Sequence, residues 1–421
     1  MTNLLKLPIV TRRHKPPKTK SMITPASTAL QRENITPQPT TIVRRQGEKR
    51  WLKLKVVRQL FGVLYRKTGN LVTTFNLIRQ IREKYETTFG EPLLTKVAKV
   101  DGRYFWRLAA PGFPSVASVK MHEHEASRLL PGQARTGLRS LLFAITKKCP
   151  MNCEHCFEWD HLNQQGDLPV ADLIQLVHKY QDFGTTQMMF SGGEPMLRVN
   201  DLYEVLKAAR LGTDFWIITS GLGLNRERAQ RLKAAGLTGA MVSLDHYEAR
   251  QHDQFRGFAG AYDAAIQAVL NARAAGLVTT LSLCATQAFT TPENLAAYLE
   301  LAKTLGVSFV QIVEPRATGR YAGKLVELDA TAIALLEKAY LAYNTSKAYQ
   351  DYPIINYLGY HQRKVGCFGS GDRFFYIDTD GDAHRCPFCA HKVASALAFP
   401  AEDIIRLLGQ QACLGFAPSS L

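Results

Sequence analysis

The sequence predicts an α/β protein in which six parallel βα units follow a helical and hairpin module and precede a small cysteine-rich extension. Three observations predict it. From about residue 137 to 345, short apolar runs alternate with amphipathic stretches of helical period, the rhythm of parallel βα units. Upstream lie two stretches of helical period and an Asp-Gly turn between strand-like runs. Downstream, four of the eight cysteines gather around a second turn.

The expected boundaries are 1–48, 49–138, 139–345 and 346–421. Residues 1–48 carry Pro16, Pro17, Pro25, Pro37 and Pro39 among Ser and Thr, with no sustained apolar period, and read as mostly disordered. This end also holds most of the charge. The first 60 residues contain fourteen Lys or Arg against Glu33 and Glu48, a balance of +12 out of the chain's +16. The remaining chain is therefore close to neutral for its length, which excludes a broad nucleic-acid face on the body and leaves nucleic acid only to the basic tail. No run approaches the roughly 18 to 20 apolar residues of a membrane span, and no secretory signal is evident, so a cytoplasmic protein is expected. Eight cysteines in 421 residues, in clusters, favour metal binding over disulfides.

In 49–138, Leu52, Leu54, Val57, Leu60, Phe61 and Leu64 recur at helical spacing, and Leu71, Phe75, Leu77, Ile78, Ile81 and Tyr85 do so again beyond Thr68-Gly69-Asn70. Lys96 to Val100 and Arg103 to Leu108 flank Asp101-Gly102, a strong hairpin signal. The aromatics Tyr104, Phe105 and Trp106 read as packing residues. His122 and His124 have i, i+2 spacing, which separates them on a helix and argues against a shared metal. From 139 the spacing predicts strands near 139–146, 186–191, 214–219, 239–244, 279–285 and 307–313. Helices are expected near 168–182, 200–211, 225–235, 260–275, 292–305 and 330–343.

The chemistry centres on Cys149, Cys153 and Cys156, at C-x3-C-x2-C spacing directly after the first strand. Soft sulfur ligands this close together point to zinc or an iron-sulfur cluster. Such sites usually take four protein ligands, so three leave either a distant fourth ligand or one position open to an exogenous molecule.

This loop resembles the signature of the radical S-adenosylmethionine (SAM) enzymes. The resemblance implies a partial (β/α)6 TIM-like barrel with its chemistry at the C-terminal strand ends. It also implies a [4Fe-4S] cluster held by Cys149, Cys153 and Cys156 as the catalytic set. SAM would bind the fourth iron and be cleaved reductively to a 5'-deoxyadenosyl radical that abstracts hydrogen from substrate. The family usually has an aromatic residue before the third cysteine; here His155 stands there, with Phe157 after.

Further stretches fit the same resemblance. Gly192-Gly193-Glu194-Pro195 looks like the family's GGEP motif, which implies that Gly192, Gly193 and Glu194 hold the SAM amino group. Thr219-Ser220-Gly221 is similar to Thr-Asn-Gly, with Ser in place of Asn. Ser243-x-Asp245, followed by His252-Asp253 and Arg256-Gly257, implies Ser243 at the SAM ribose and Arg256 at its carboxylate. Asp245 would line the substrate side. Cys284 reads as a buried apolar thiol, and Glu314-Pro315-Arg316 at the sixth strand's end has no assigned role.

In the extension, Cys367 is followed by thirteen residues, Gly381, four more residues, then Cys386, Cys389 and the distant Cys413. Phe374 to Ile377 and the Asp378–Asp382 turn form a hairpin signal between them. The pattern resembles the opening of SPASM and Twitch extensions, which implies a second, auxiliary [4Fe-4S] cluster on Cys367, Cys386, Cys389 and Cys413. Zinc on the same four cysteines remains open from spacing alone.

The resemblance implies an enzyme modifying a peptide or protein side chain, with a reductant such as flavodoxin or ferredoxin as partner. The alternatives are an oxidoreductase for a small metabolite and a metal-stabilised binding protein without catalysis.

Overall fold

The computed structural model describes residues 35–89, 94–130, 137–389, 391–410 and 415. The tail expected to be disordered over 1–48 is corrected at its end. Val43 N–H donates to Val97 O and Lys99 N–H to Thr41 O, both at 2.8 Å, and Ile42 and Val43 are buried. Two adjacent apolar residues in an extended segment are too few to register as a period, and burial against the hairpin orders them.

Helix α1 (Gln46–Thr68) and helix α2 (Leu71–Phe89) break at Gly69, whose left-handed backbone (φ 63°) lets its N–H bond to Tyr65 O. Strands β1 (Ala98–Val100) and β2 (Arg103–Phe105) pair antiparallel across Asp101 and Gly102, both at positive φ, which suits the right-handed twist of a tight hairpin. Helix α3 (Val116–Leu129) starts at Ser115, which caps it reciprocally with Ser118. The hairpin's Phe105 joins Leu108, Trp216, Met241, Val278, Phe309 and Ile354 in one buried cluster. Val278, Phe309 and Ile354 open their strands, so this cluster seals the N-terminal ends of the sheet. Arg103 adds an ion pair to Asp214 at 2.7 Å.

The βα units follow in the expected order: β3 (Ser140–Ala144), α4 (Val170–Asp182), β4 (Gln187–Ser191), α5 (Val199–Ala208), β5 (Asp214–Thr219), α6 (Arg226–Ala234), β6 (Leu237–Ser243), α7 (Ala249–Arg256), α8 (Ala261–Ala274), β7 (Val278–Cys284), α9 (Pro292–Thr304), β8 (Phe309–Val313) and α10 (Ala330–Thr345). The remaining elements are β9 (Ile354–Tyr357), α11 (Leu358–Val365), β10 (Phe374–Ile377), β11 (Asp382–His384), β12 (Ala394–Ser395) and α12 (Ala401–Gly409).

One sheet runs β12-β11-β10-β3-β4-β5-β6-β7-β8-β9. Every neighbouring pair from β10 through β3 to β9 is parallel, while β11 and β12 add antiparallel at the β10 edge. The ladder is open between β12 and β9, giving a partial barrel. Among the described residues beyond 345, no separate sheet forms. They lengthen the barrel sheet at both edges, with β9 beside β8 and β10 beside β3, because an exposed strand edge offers unpaired N–H and C=O groups.

Candidate active site at the C-terminal strand ends

The cysteine loop leaves β3 at Ala144 and is held along its length by hydrogen bonds. Gly193 N–H donates to Thr146 O at 2.7 Å and Glu194 N–H to Lys148 O at 2.8 Å. A Cβ on Gly192 would stand 2.5 Å from Thr146 O, and one on Gly193 would stand 2.3 Å from Lys148 O. Glycine is required there by this close approach. Asp167 accepts from Thr146 Oγ1 and Lys147 N–H, and Asn163 Oδ1 accepts from Cys149 N–H at 3.0 Å. Further on, Asn152 N–H donates to Arg256 O and Glu154 N–H to Phe255 O. From the loop after β8, Arg320 Nη1 reaches Asn152 O at 2.6 Å and Cys153 O at 3.2 Å, while Arg320 N–H donates to Cys156 O.

The clamped loop packs its three cysteines against one hydrophobic cluster. Cys153 is buried with Met151 and Ala261, and half-buried Cys149 and Cys156 pack on them beside Leu222 and Phe258. Burial pushes all three thiols up, Cys149 and Cys156 to about 12, and neighbouring sulfurs add mutual repulsion. Thiolates so placed need a cation, which fits a soft-metal or iron-sulfur occupant. Among the described residues no group of three or more His, Cys, Asp or Glu is arranged to hold a metal ion as it stands. The fit therefore rests on three thiols sharing one clamped loop.

Positive charge already approaches the set. Arg256 Nη1 lies 3.6 Å from Cys153 Sγ, while its Nε and Nη2 fork onto Asp245 Oδ2 at 2.7 and 2.6 Å. Burial works to raise the Asp245 carboxyl, but the Arg256 charge outweighs it and holds the carboxyl low. Asp245 also accepts from Cys284 N–H, and its own N–H donates to His252 Nδ1. The fork expected to face a SAM carboxylate is thus engaged by Asp245, with one edge turned to sulfur.

Glu194 is likewise engaged inward. Oε1 accepts from Thr219 Oγ1 at 2.6 Å and Met196 N–H at 3.0 Å, and Oε2 accepts from both Ser220 N–H and Ser220 Oγ. These contacts use the roughly four acceptor positions of a carboxylate. Glu194 ties the ends of β4 and β5 together, and Ser220, standing in the place of the expected Asn, supplies two of the bonds. Burial raises its pKa, with those hydrogen bonds opposing the shift. Ser243 ends β6, half-buried, in register with Ser282. His155 stacks on Phe255 with ring centroids 4.9 Å apart.

The second cysteine group lies across Phe157. That ring is edge-on to Tyr376 at 5.9 Å and to Phe388 at 6.2 Å, between Cys386 and Cys389. Cys386 Sγ meets Cys389 Sγ at 3.3 Å, and buried Cys367 contributes to raising the Cys386 thiol. Lys147 Nζ reaches Asp380 at 2.6 Å and Tyr376 Oη donates to Glu158, so the first loop and the second hairpin are pinned together. Cys413 lies outside the described residues.

Some participants had no sequence signal. Arg320 belongs to no motif, and Asn163 and Asp167 sit in a polar loop. Glu314 accepts from Tyr357 Oη at 2.7 Å and Arg363 Nη1 at 2.8 Å, which explains that carboxylate as a buried tie at the β8 end.

This constellation, a three-cysteine loop braced by Gly-Gly-Glu at the C-terminal ends of a partial barrel, defines a class. Residues 143–308 match the profile of the Radical SAM superfamily, so the chain carries a radical SAM domain and is an enzyme that uses SAM and a [4Fe-4S] cluster. It is 29% identical over 277 residues to a protein named PqqA peptide cyclase from Granulibacter bethesdensis, covering 62% of this chain and 70% of that protein. Over 188 residues it is 28% identical to an AdoMet-dependent heme synthase from Nitratidesulfovibrio vulgaris, covering 44% of this chain and spanning half that protein's length. Among solved structures, Streptococcus suis SuiB bound to precursor peptide SuiA superposes with a TM-score of 0.53 at 13% identity, covering 69% of this chain and 70% of that chain. That likeness is one of fold.

Proposed function

We propose that this enzyme modifies a peptide or protein side chain by hydrogen abstraction, with Cys149, Cys153 and Cys156 holding the SAM-binding cluster. The observation that carries the reading is the direct hydrogen bonding of the Gly193–Glu194 backbone to the loop that presents those thiols. A peptide substrate is favoured by the peptide cyclase relative, which aligns over more of this chain than the heme synthase does.

When bound, the cluster and SAM supply a 5'-deoxyadenosyl radical. The chain's own residues prepare its place. Arg256 sets a guanidinium beside Cys153 Sγ and favours its thiolate, and Asp245 aims that guanidinium by a two-pronged pair. Gly192 and Gly193, having no Cβ to strike Thr146 O and Lys148 O, let the cysteine loop lie directly against the end of β4. Ser243 and Arg256 are the proposed SAM-facing side chains, and Glu194 acts by fixing the β4 and β5 ends unless a bound ammonium displaces one of its four donors. Cys367, Cys386 and Cys389, with Cys413, are the proposed auxiliary ligands.

Anaerobic reconstitution with dithionite and SAM tests the chemistry: 5'-deoxyadenosine should form, with about eight irons per chain if both cubanes assemble. Co-expression with a short peptide encoded beside the protein should change that peptide's mass. A second reading, a tetrapyrrole or other small metabolite as substrate, is favoured by the heme synthase relative. It wins if 5'-deoxyadenosine formation is stimulated by such a compound and by no peptide.

A further inference from the structure

A groove of about 390 Å³ lies between α1 and α3, apart from the cysteine loops. Exposed Lys55, Arg58 and Arg66 line it above partly buried Val119 and the nearly inaccessible Val63 and Phe113. These cations follow helical spacing on α1 and span about 16 Å at 1.5 Å per residue. Among the described residues Arg58 has no ion pair, and Arg66 meets Glu123 at 3.4 Å with both side chains well exposed. Such a pair contributes little and exchanges readily. Lys55 Nζ rests 3.5 Å from the Trp51 ring centroid, which orients it without neutralising it.

A separate observation points to an occupant. Gly62 lines the groove in the middle of α1, where glycine costs about 1 kcal/mol relative to alanine. No packing demands it, because a Cβ there would meet nothing within 4 Å. A bare stretch of helix backbone between cations leaves room for another chain to lie close.

We propose that this groove binds an acidic peptide segment, with carboxylates on Arg58, Arg66 and Lys55 and an apolar side chain over Val63, Phe113 and Val119. The proposal rests on the peptide-modifying reading for the source of that segment, a part of the substrate remote from the reacting residue. An apolar floor beneath a single row of cations suits alternating acidic and apolar side chains better than a phosphate backbone, whose binding needs no such floor.

The test is fluorescence anisotropy on the full chain with a labelled synthetic peptide of alternating Glu and Leu. Saturable binding is expected, about tenfold weaker in Arg58→Glu and similarly weaker in Gly62→Gln, whose longer side chain fills the floor. Gly62→Ala should raise Tm while leaving the cations in place, which separates helix stability from binding. Unchanged affinity in both blocking variants, equal binding of an alternating Lys and Leu peptide, or displacement by an oligonucleotide in preference to unlabelled peptide overturns the proposal. SAM cleavage without substrate should be unchanged in Arg58→Glu. If a peptide is modified with the same KM by that variant, the groove assignment falls and the peptide reading stands. If the acidic probe binds as expected and no peptide is modified, the reading falls and the groove stands as an acidic-peptide site.

Discussion

The two ends of the barrel are built by opposite rules. At the N-terminal strand ends, Phe105 and Leu108 plug an apolar cluster with Trp216, Met241 and Phe309, and Arg103 is paired with Asp214. At the C-terminal ends, charged and sulfur-bearing groups are buried together: Glu194, Asp245, Arg256 and Cys153 are all nearly inaccessible. Buried charge is costly unless paired and hydrogen-bonded, so its concentration at one end marks where stability has been traded for chemistry. The plug end holds the fold, and the loop end holds reactivity.

Substitutions at the two ends should therefore separate. The largest effect is expected from Cys153→Ala, which should reduce SAM cleavage to background and lower iron content by about four per chain, with little change in Tm. Cys386→Ala should lose only the other metal complement and keep SAM cleavage; full iron in both variants would break the contrast. Phe105→Ala should behave in the opposite way, costing about 3 to 5 kcal/mol in denaturant unfolding while kcat of the surviving folded fraction holds. A smaller effect is expected for Arg320→Ala. It removes donors from the carbonyls of Asn152 and Cys153, each charge-assisted bond contributing about 1.5 to 3 kcal/mol at most and less in this partly exposed setting. Faster alkylation of Cys149, Cys153 and Cys156 in metal-free protein should report it, with partial rescue by Arg320→Lys. An unchanged alkylation rate would remove Arg320 from the clamp.

Most of the plug and the outline of the site were legible in sequence, for physical reasons that also explain the gaps. The six βα units show because each helix buries a periodic stripe and each strand an apolar run. Strand β9 is four residues long, and α7, read as Ala-Arg-Gln-His-Asp-Gln-Phe-Arg, carries no apolar stripe; both owe their form to partners distant in the chain. The pairing of β10 with β3 joins residues more than two hundred positions apart, which no local pattern encodes. The cysteines and Gly192-Gly193-Glu194 are visible because their spacing is local. Arg320 is not, since its acceptors lie 168 and 167 residues upstream. Nor does sequence reveal that Glu194 and the Arg256 fork are already engaged, because a motif names residues and leaves their hydrogen bonds unstated.

The mildest prediction concerns pH and belongs to the module that carries the plug. His122 on α3 accepts a hydrogen bond at Nδ1 from Gln59 Nε2 at 3.0 Å, which ties α3 to α1 and requires the neutral ring. Burial pushes His122 down to about 4, with Glu125 opposing the shift. In the unfolded chain the ring titrates near its ordinary value of about 6.5. Between those values the unfolded state holds more protons, so stability rises with pH through that window. It is complete above about 6.5 and erodes as pH falls toward 4. Going from about pH 7.5 to 5.5 should cost about 1 kcal/mol through this residue, and His122→Gln should flatten that part of the dependence. Because His122 lies in the accessory module and not on the cysteine loop, the loss should appear in unfolding midpoints before any change in thiol protection. If thiol alkylation accelerates first, the module and the loop are coupled more tightly than the division between the two ends allows.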